Sequence, residues 1–287
     1  MIAILMSAYN GAKYIREQID SLLGQTYQDF VVHIRVDGST DGTTEIVDEY
    51  ARKYAEKIKH VDVGGSNLGC GQSFMWLLEH TEADYYMYCD QDDVWLPTKV
   101  EETLAKMQEH DATGHRDVPC VVFTDAEVVD SELNTMFGSL WKSNHRHPED
   151  AKDVYRYAVY RQAALGCTMM FNNETRRQAI NVKTFPDKYG QHDRLLVYLC
   201  AKLGEVDYLN KPLIKYRQHG ANVTSYLAKT QTRKTIVKRT LLSPSERIKN
   251  QKIKFARLKQ LPFPVSYFKI FVTLCQKWFF PKKWNQD

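Results

Sequence analysis

Tyr85-Tyr86-Met87-Tyr88-Cys89-Asp90-Gln91-Asp92-Asp93-Val94-Trp95 sets a five-residue apolar run directly against three carboxylates. A short aromatic-rich run bounded by polar residues reads as a strand buried on both faces. Acids that follow such a strand lie at the carboxyl edge of a parallel sheet, where open α/β sheets hold their ligands. Carboxylates this close repel one another unless a cation or another partner intervenes. A hard divalent ion, Mg2+ or Mn2+, is gathered by one or two carboxylates and completes its shell with phosphate oxygens. There it would neutralise charge on a departing nucleoside diphosphate. The competing reading is a helix cap or a solvated turn. The buried strand in front of the acids favours the metal.

Outward from this stretch, strand and helix patterns alternate. Strands are expected over 2–6, 30–36, 58–63, 85–89 and 118–124, and helices over 12–23, 43–54, 72–80 and 97–109. That order predicts a mostly parallel sheet flanked by helices. Two further loops fall at strand ends, Ser7-Ala8-Tyr9-Asn10 and Asp37-Gly38-Ser39. Asp37 reads either as a turn former or as a carboxylate that accepts a hydrogen bond from a pyrimidine ring N–H. Beyond 130 the periodicity fades. The span 130–148, with Trp141, is expected to be a long functional loop. A strand follows over 166–171, a helix over 192–203 and an extended segment over 208–216. Asp193 opens that helix, either because the helix dipole favours it or as a general base that deprotonates an acceptor hydroxyl. His219, in Tyr216-Arg217-Gln218-His219-Gly220, is a candidate metal ligand or diphosphate contact, with a structural role as the alternative.

Charge is unevenly spread. Residues 229–287 carry 15 Lys/Arg against two acids, a net +13, whereas 1–228 carry −9. An acidic body with a basic tail suggests chemistry in one and attachment in the other. In the tail, basic residues interleave with Phe255, Leu258, Phe268, Phe271, Trp278 and Trp284, which suits an amphipathic stretch on anionic lipid. The alternative is a helical appendage packed on the body with a solvated basic face. Nucleic-acid binding by the tail is a further alternative, but the acidic body contributes nothing to it, and no nucleic-acid partner is expected. A nucleotidyltransferase would want a Gly-rich basic phosphate loop, which Ser7–Gly11 is not. The six cysteines contain no Cys-x-x-Cys pair, which speaks against a zinc site and a disulfide framework and for a reducing compartment. No signal peptide is read at the N-terminus, and no apolar run reaches the roughly 20 residues that span a bilayer. A cytoplasmic protein, peripheral on the inner face of the plasma membrane, is expected.

The ordered series Ser7-Ala8-Tyr9-Asn10-Gly11, Val36-Asp37-Gly38-Ser39-Thr40-Asp41-Gly42, Asn67-Leu68-Gly69, Cys89-Asp90-Gln91-Asp92-Asp93-Val94-Trp95, His192-Asp193 and Tyr216-Arg217-Gln218-His219-Gly220 resembles glycosyltransferase family 2 over about residues 1–225. Its wording is most similar to the rhamnosyltransferase-like branch of bacterial polysaccharide and O-antigen synthesis. The resemblance implies a GT-A α/β fold over 1–228, with nucleotide-sugar binding in about 1–125 and the acceptor and catalytic part in about 126–228. It also implies a donor such as dTDP-rhamnose or a UDP-hexose, a glycan or lipid-linked oligosaccharide acceptor, and Mn2+ or Mg2+. On the donor side it places Ala8, Tyr9, Asn10, Asp37, Asn67, Asp90 and Gln91. It gives the metal to Asp90, Asp92 and His219 and the catalytic base to Asp193. Gly166, Cys167, Thr168, Asp93, Trp95 and His192 fall on the acceptor side. Arg194-Leu195 follow His-Asp where many rhamnosyltransferase-like sequences carry aromatic residues, a departure that bears on donor sugar and acceptor rather than on reaction type.

Overall fold

The computed structural model describes residues 1–61, 64–160, 162–182 and 192–220, and in the C-terminal segment 264, 266, 268–270 and 272–274. Strands β1 (Ile2–Ala8), β2 (Phe30–Val36) and β3 (Ile58–His60) alternate with helices α1 (Ile15–Leu23), α2 (Thr43–Lys53) and α3 (Cys70–Glu79). Strands β4 (Tyr85–Asp90) and β5 (Val94–Trp95) and helix α4 (Lys99–His110) follow. Next come β6 (Cys120–Val129), β7 (Thr135–Phe137), α5 (Leu140–Ser143), α6 (Val154–Val159), β8 (Met169–Asn172), α7 (Asn173–Ile180), α8 (His192–Leu203) and β9 (Glu205–Arg217).

The sheet runs β3-β2-β1-β4-β8-β6-β9-β5, with β7 paired to β6. Its first four strands are parallel, β8 is antiparallel to both neighbours, and β6 and β9 are again parallel. Alternation along β1 shows why both faces are covered. Ile2, Ile4 and Met6 pack with α1, α2 and α4, whereas Ala3 and Leu5 pack with α3, α7 and α8. Strands buried on both sides read as continuous apolar runs, as Ile2–Met6 does. The result is an α/β/α sandwich whose loops at the carboxyl ends of β1, β2 and β4 open on one edge.

Several expectations change. The strand expected over 118–124 extends to Val129, and that over 208–216 begins at Glu205, because the two pair along nearly their whole length. The residues Gly166–Thr168 form a helical turn, and the strand starts only at Met169. Helix α7, begun by the Asn172 side chain accepting from the Thr175 N–H, has no counterpart in the sequence reading. The span 130–148 is no open loop. It holds β7 and α5, and Trp141 is buried, its indole N–H donating to the Ala163 carbonyl at 3.1 Å. Part of the expected 58–63 strand lies outside the described residues, as does most of 229–287. The described part of that tail docks on the body. Ile270 and Leu274 pack on Ala158 beside Tyr155, Tyr160 and Tyr198. Among the described residues no helix is long and apolar enough to cross a membrane.

Candidate active site

A cavity of about 910 Å3 opens at the carboxyl edge of the sheet, and the loops after β1, β2 and β4 and the start of α8 all line it. Tyr9, Asn10, Asp37, Asn67, Asp90, Gln91, Asp92, Gly166, Cys167, His192, Asp193 and His219 reach it. Residues some 200 positions apart therefore meet in one space.

On the β1–β2 side the chain is held by short polar links. Asp37 is buried and accepts from the Arg35 guanidinium and from the backbone N–H groups of Leu68 and Gly69, both at 2.8 Å. Arg35 also donates to Ser73 Oγ at 2.9 Å and to the Ser66 carbonyl at 2.8 Å. Asp37 thus ties the 66–69 loop to the sheet while one side of it faces the cavity. Asn10 sits at φ +47°, a left-handed conformation that Asn tolerates better than most residues. Its N–H donates to Ser39 Oγ and its side-chain oxygen accepts from Thr40 N–H. The Gln91 amide grips the Tyr9 backbone at both ends, its Nε2 donating to the Tyr9 carbonyl at 2.7 Å. Gly11 makes room for this clamp, because a Cβ there would lie 2.6 Å from Gln91 Cδ.

The acidic wall has two halves. Asp92 Oδ2 lies 2.7 Å from His219 Nε2, and His219 packs on the Tyr14 ring at 4.8 Å. Asp90 instead meets Asp93 and Cys167, their ligand atoms within 4.8 Å of one another. Burial, then the charge of Asp92, pushes the Asp90 carboxyl up to about 7, with Asp193 adding to the rise. Such crowding of negative charge is what a bound cation relieves. Hard carboxylate oxygens with one imidazole fit Mg2+ or Mn2+. The Cys167 thiol is driven far above its usual range, by burial first and then by Asp93 and Asp90. A soft thiol also matches Mg2+ or Mn2+ less well than the hard carboxylate oxygens do.

Four residues expected to line the site do not. Ala8 is fully buried, and its carbonyl accepts from Asp37 N–H at 2.7 Å. Thr168 is buried, with its hydroxyl donating to the Leu165 carbonyl. Asp93 turns inward, where its Oδ1 accepts from Arg217 N–H at 2.9 Å. Trp95 packs in the core, pairs with Ile214 across β5–β9, and lies under Lys99, whose Nζ is 4.7 Å from its ring. Packing against the core holds Trp95 away from the cavity, and the hydrogen bond from Arg217 N–H holds Asp93. His192 forms a wall rather than a contact group. It stacks on Phe74 at 4.3 Å, and burial lowers its pKa, so the ring is neutral. Gly166 lets this wall close, because a Cβ there would meet His192 Nε2 at 3.3 Å and Asp193 Cβ at 3.5 Å.

Arg217, inside Tyr216-Arg217-Gln218-His219-Gly220, is a residue of the site that the motif alone does not single out. It is buried and donates to the carbonyls of Asp92 at 2.7 Å and Ser131 at 2.6 Å, and to the Glu17 carboxylate. It therefore pins the acidic loop to the end of β9 beside His219. Arg35 is a second such residue. Its only signal was a charged residue inside a strand that is otherwise apolar at its buried positions.

The fold and this edge site define a nucleotide-diphospho-sugar transferase domain of the GT-A type. The family model described as glycosyl transferase family 2 matches residues 3–168, and the chain belongs to that family. An uncharacterized glycosyltransferase of Rickettsia typhi is 27% identical over 225 residues, or 78% of this chain and 66% of the relative. The chain thus spans just under two thirds of that relative's length. The dTDP-rhamnosyl transferase RfbG of Shigella flexneri is 27% identical over 232 residues, 76% of this chain and 75% of RfbG. Among solved structures, S. aureus TarS 1–349 in complex with UDP-GlcNAc superposes with a TM-score of 0.62 at 16% identity, covering 97% of this chain and 73% of that one. At that identity it speaks for the fold alone.

Proposed function

We propose that this chain is an inverting glycosyltransferase that moves one sugar from a nucleoside-diphosphate donor onto a bacterial glycan acceptor. The observation that carries the reading is one cavity in which Asp193, at the start of α8, shares a wall with Asp90, Asp92 and His219. An acceptor oxygen attacks the anomeric carbon while Asp193 takes its proton. The bond to the diphosphate breaks on the opposite face, with its electron pair leaving on the phosphate oxygen, so configuration inverts. A divalent ion, Mn2+ or Mg2+, held by Asp90, Asp92 and His219 supplies charge neutralisation for that diphosphate when bound.

Asp37 accepts the ring N–H of the base, with Tyr9, Asn10 and Asn67 lining the nucleoside and Gln91 fixing their loop. Uracil and thymine both carry that N–H, so Asp37 accepts dTDP and UDP donors alike. L-rhamnose from dTDP-rhamnose is the favoured sugar, supported by the kinship to RfbG, and the product would be an α-L-rhamnoside. A UDP-hexose is the second reading. The body 1–228 carries the chemistry. The segment 229–287 rests on the anionic cytoplasmic face of the membrane, where lipid-linked acceptors lie.

The test is a panel of nucleotide sugars assayed with Mn2+, Mg2+ or EDTA, read by donor hydrolysis and transfer. One donor is expected to respond, and EDTA to remove the response. Asp193→Asn is expected to cut transfer by at least a hundredfold while donor affinity stays within about threefold. A variant that turns over at the parental rate would remove Asp193 from the role of base.

A further inference from the structure

At the far edge of the sheet, away from the cavity, two imidazoles converge on one carboxylate. His110 closes α4, His115 lies in the turn that follows it, and Glu205 is the first residue of β9. His110 Nδ1 is 2.9 Å from Glu205 Oε2, and His115 Nδ1 is 2.8 Å from Glu205 Oε1. One ligand atom from each lies within 4.8 Å of the others. The 90 residues between His115 and Glu205 hide this grouping from any local reading of the sequence.

The scaffold around the three groups is tight. Glu205 N–H donates to the Pro119 carbonyl at 2.8 Å, and Gly204 approaches that same oxygen so closely that a Cβ would lie 1.9 Å from it. Across the turn, Thr113 Oγ1 donates to the His110 carbonyl and Val118 N–H to the His115 carbonyl, while Gly114 turns the chain at φ +84°. His110 is buried, and its Nε2 has no hydrogen-bond partner, so the ring's polar interaction runs through Nδ1. His115 and Glu205 are solvent-exposed and give an ion a path in.

We propose that His110, His115 and Glu205 form a second metal site, distinct from the acidic wall, for a borderline divalent ion of the Zn2+ type. Two neutral imidazole nitrogens and one carboxylate oxygen are a Zn2+ donor set, and water completes the tetrahedron. The expectation of no zinc site rests on cysteine spacing alone, and this donor set contains no cysteine. On binding, the ion takes the Nδ1 lone pair of each neutral ring, and the one proton that Nδ1 shared with Glu205 moves to Nε2 of the same ring. For His110 that N–H is buried without a partner, a cost that holds affinity below that of a closed structural site. The bound ion staples the end of α4 to the start of β9, so its binding free energy adds to stability.

The site is tested with the untagged full chain carrying Asp92→Asn and His219→Ala, which weaken the acidic wall. Co2+ serves as the spectroscopic probe and Zn2+ as the competitor. One Co2+ per chain is expected, with the intense visible absorption of tetrahedral Co2+. Stoichiometric displacement by Zn2+ and a higher melting temperature with Zn2+ should accompany it. His115→Gln, which alters an exposed ring, should weaken Co2+ binding at least tenfold while leaving the metal-free melting temperature unchanged. Glu205→Gln should also weaken it. Absence of Co2+ binding in the parent background, or binding of equal strength after His115→Gln, overturns the site and leaves only a hydrogen-bonded knot.

Discussion

Buried charge is what the individual residues of this domain are organised around. Arg35 and Asp37 form an ion pair from which water is excluded, and Asp37 in turn holds the 66–69 loop. Removing one partner of a buried pair strands the other, at a cost of about 3–5 kcal/mol. Arg35→Met is therefore expected to lower thermal and urea stability by about that much, and to weaken donor binding as the 66–69 loop loosens. An unchanged melting temperature would mean that the pair is dispensable. His192 makes the opposite case, a ring kept neutral. Burial holds its folded-state pKa below the ordinary 6.5. The unfolded chain therefore takes up a proton that the folded chain resists, and stability falls as pH drops below 6.5. The contribution is at most about 1.4 kcal/mol per pH unit. Urea midpoints followed from pH 7 to 5 should fall less steeply in His192→Phe than in the parent. Asp37 was legible because acids in a turn after a strand attract attention. Arg35 was not, because only the fold shows that its strand position faces a carboxylate.

Elements were legible where periodicity was strong and unbroken. Helix α8 matches the expected span, and α2 and β2 differ from expectation by at most one residue. Where burial depends on distant partners, the reading fell short. Strand β9 lengthens because it pairs with β6, and Leu140 and Trp141 of the 130–148 span join the core, Trp141 against Phe123 and Tyr208. The bend into β9 offers a sharp test. Gly204→Ala forces a Cβ against the Pro119 backbone oxygen, and backbone cannot swing aside as a side chain can. We expect a loss of about 1–3 kcal/mol, measured beside Gly138→Ala, where a Cβ meets nothing within 4 Å. Equal stability of the two variants would show that the bend yields without strain.

Over the whole molecule, two apolar layers bracket the sheet, and the described part of the tail adds a small third cluster against α6 and α8. That docking buries Ile270 and Leu274 but leaves Phe268 74% exposed, with Lys269 and Val272 beside it. An exposed aromatic next to a cation suits a lipid interface. Truncating the entire tail would also uncover Ala158, so a point change separates the two effects. Phe268→Asp should reduce flotation with anionic vesicles several-fold and leave the melting temperature in place. Flotation equal to the parent would argue that the tail only packs. By itself the sequence determined the alternating α/β order, the edge of the sheet that carries the candidate site, and the ordered motifs that mark the family, because these are local in period or motif. Only the tertiary structure decided that Asp93 and Trp95 turn inward, that Arg35 and Arg217 anchor the acidic loops, and that His110 and His115 meet Glu205. Each of those depends on tertiary neighbours, and contacts such as Arg35 with Ser66, 31 positions apart, or Asp93 with Arg217, 124 apart, leave no periodic trace in the chain.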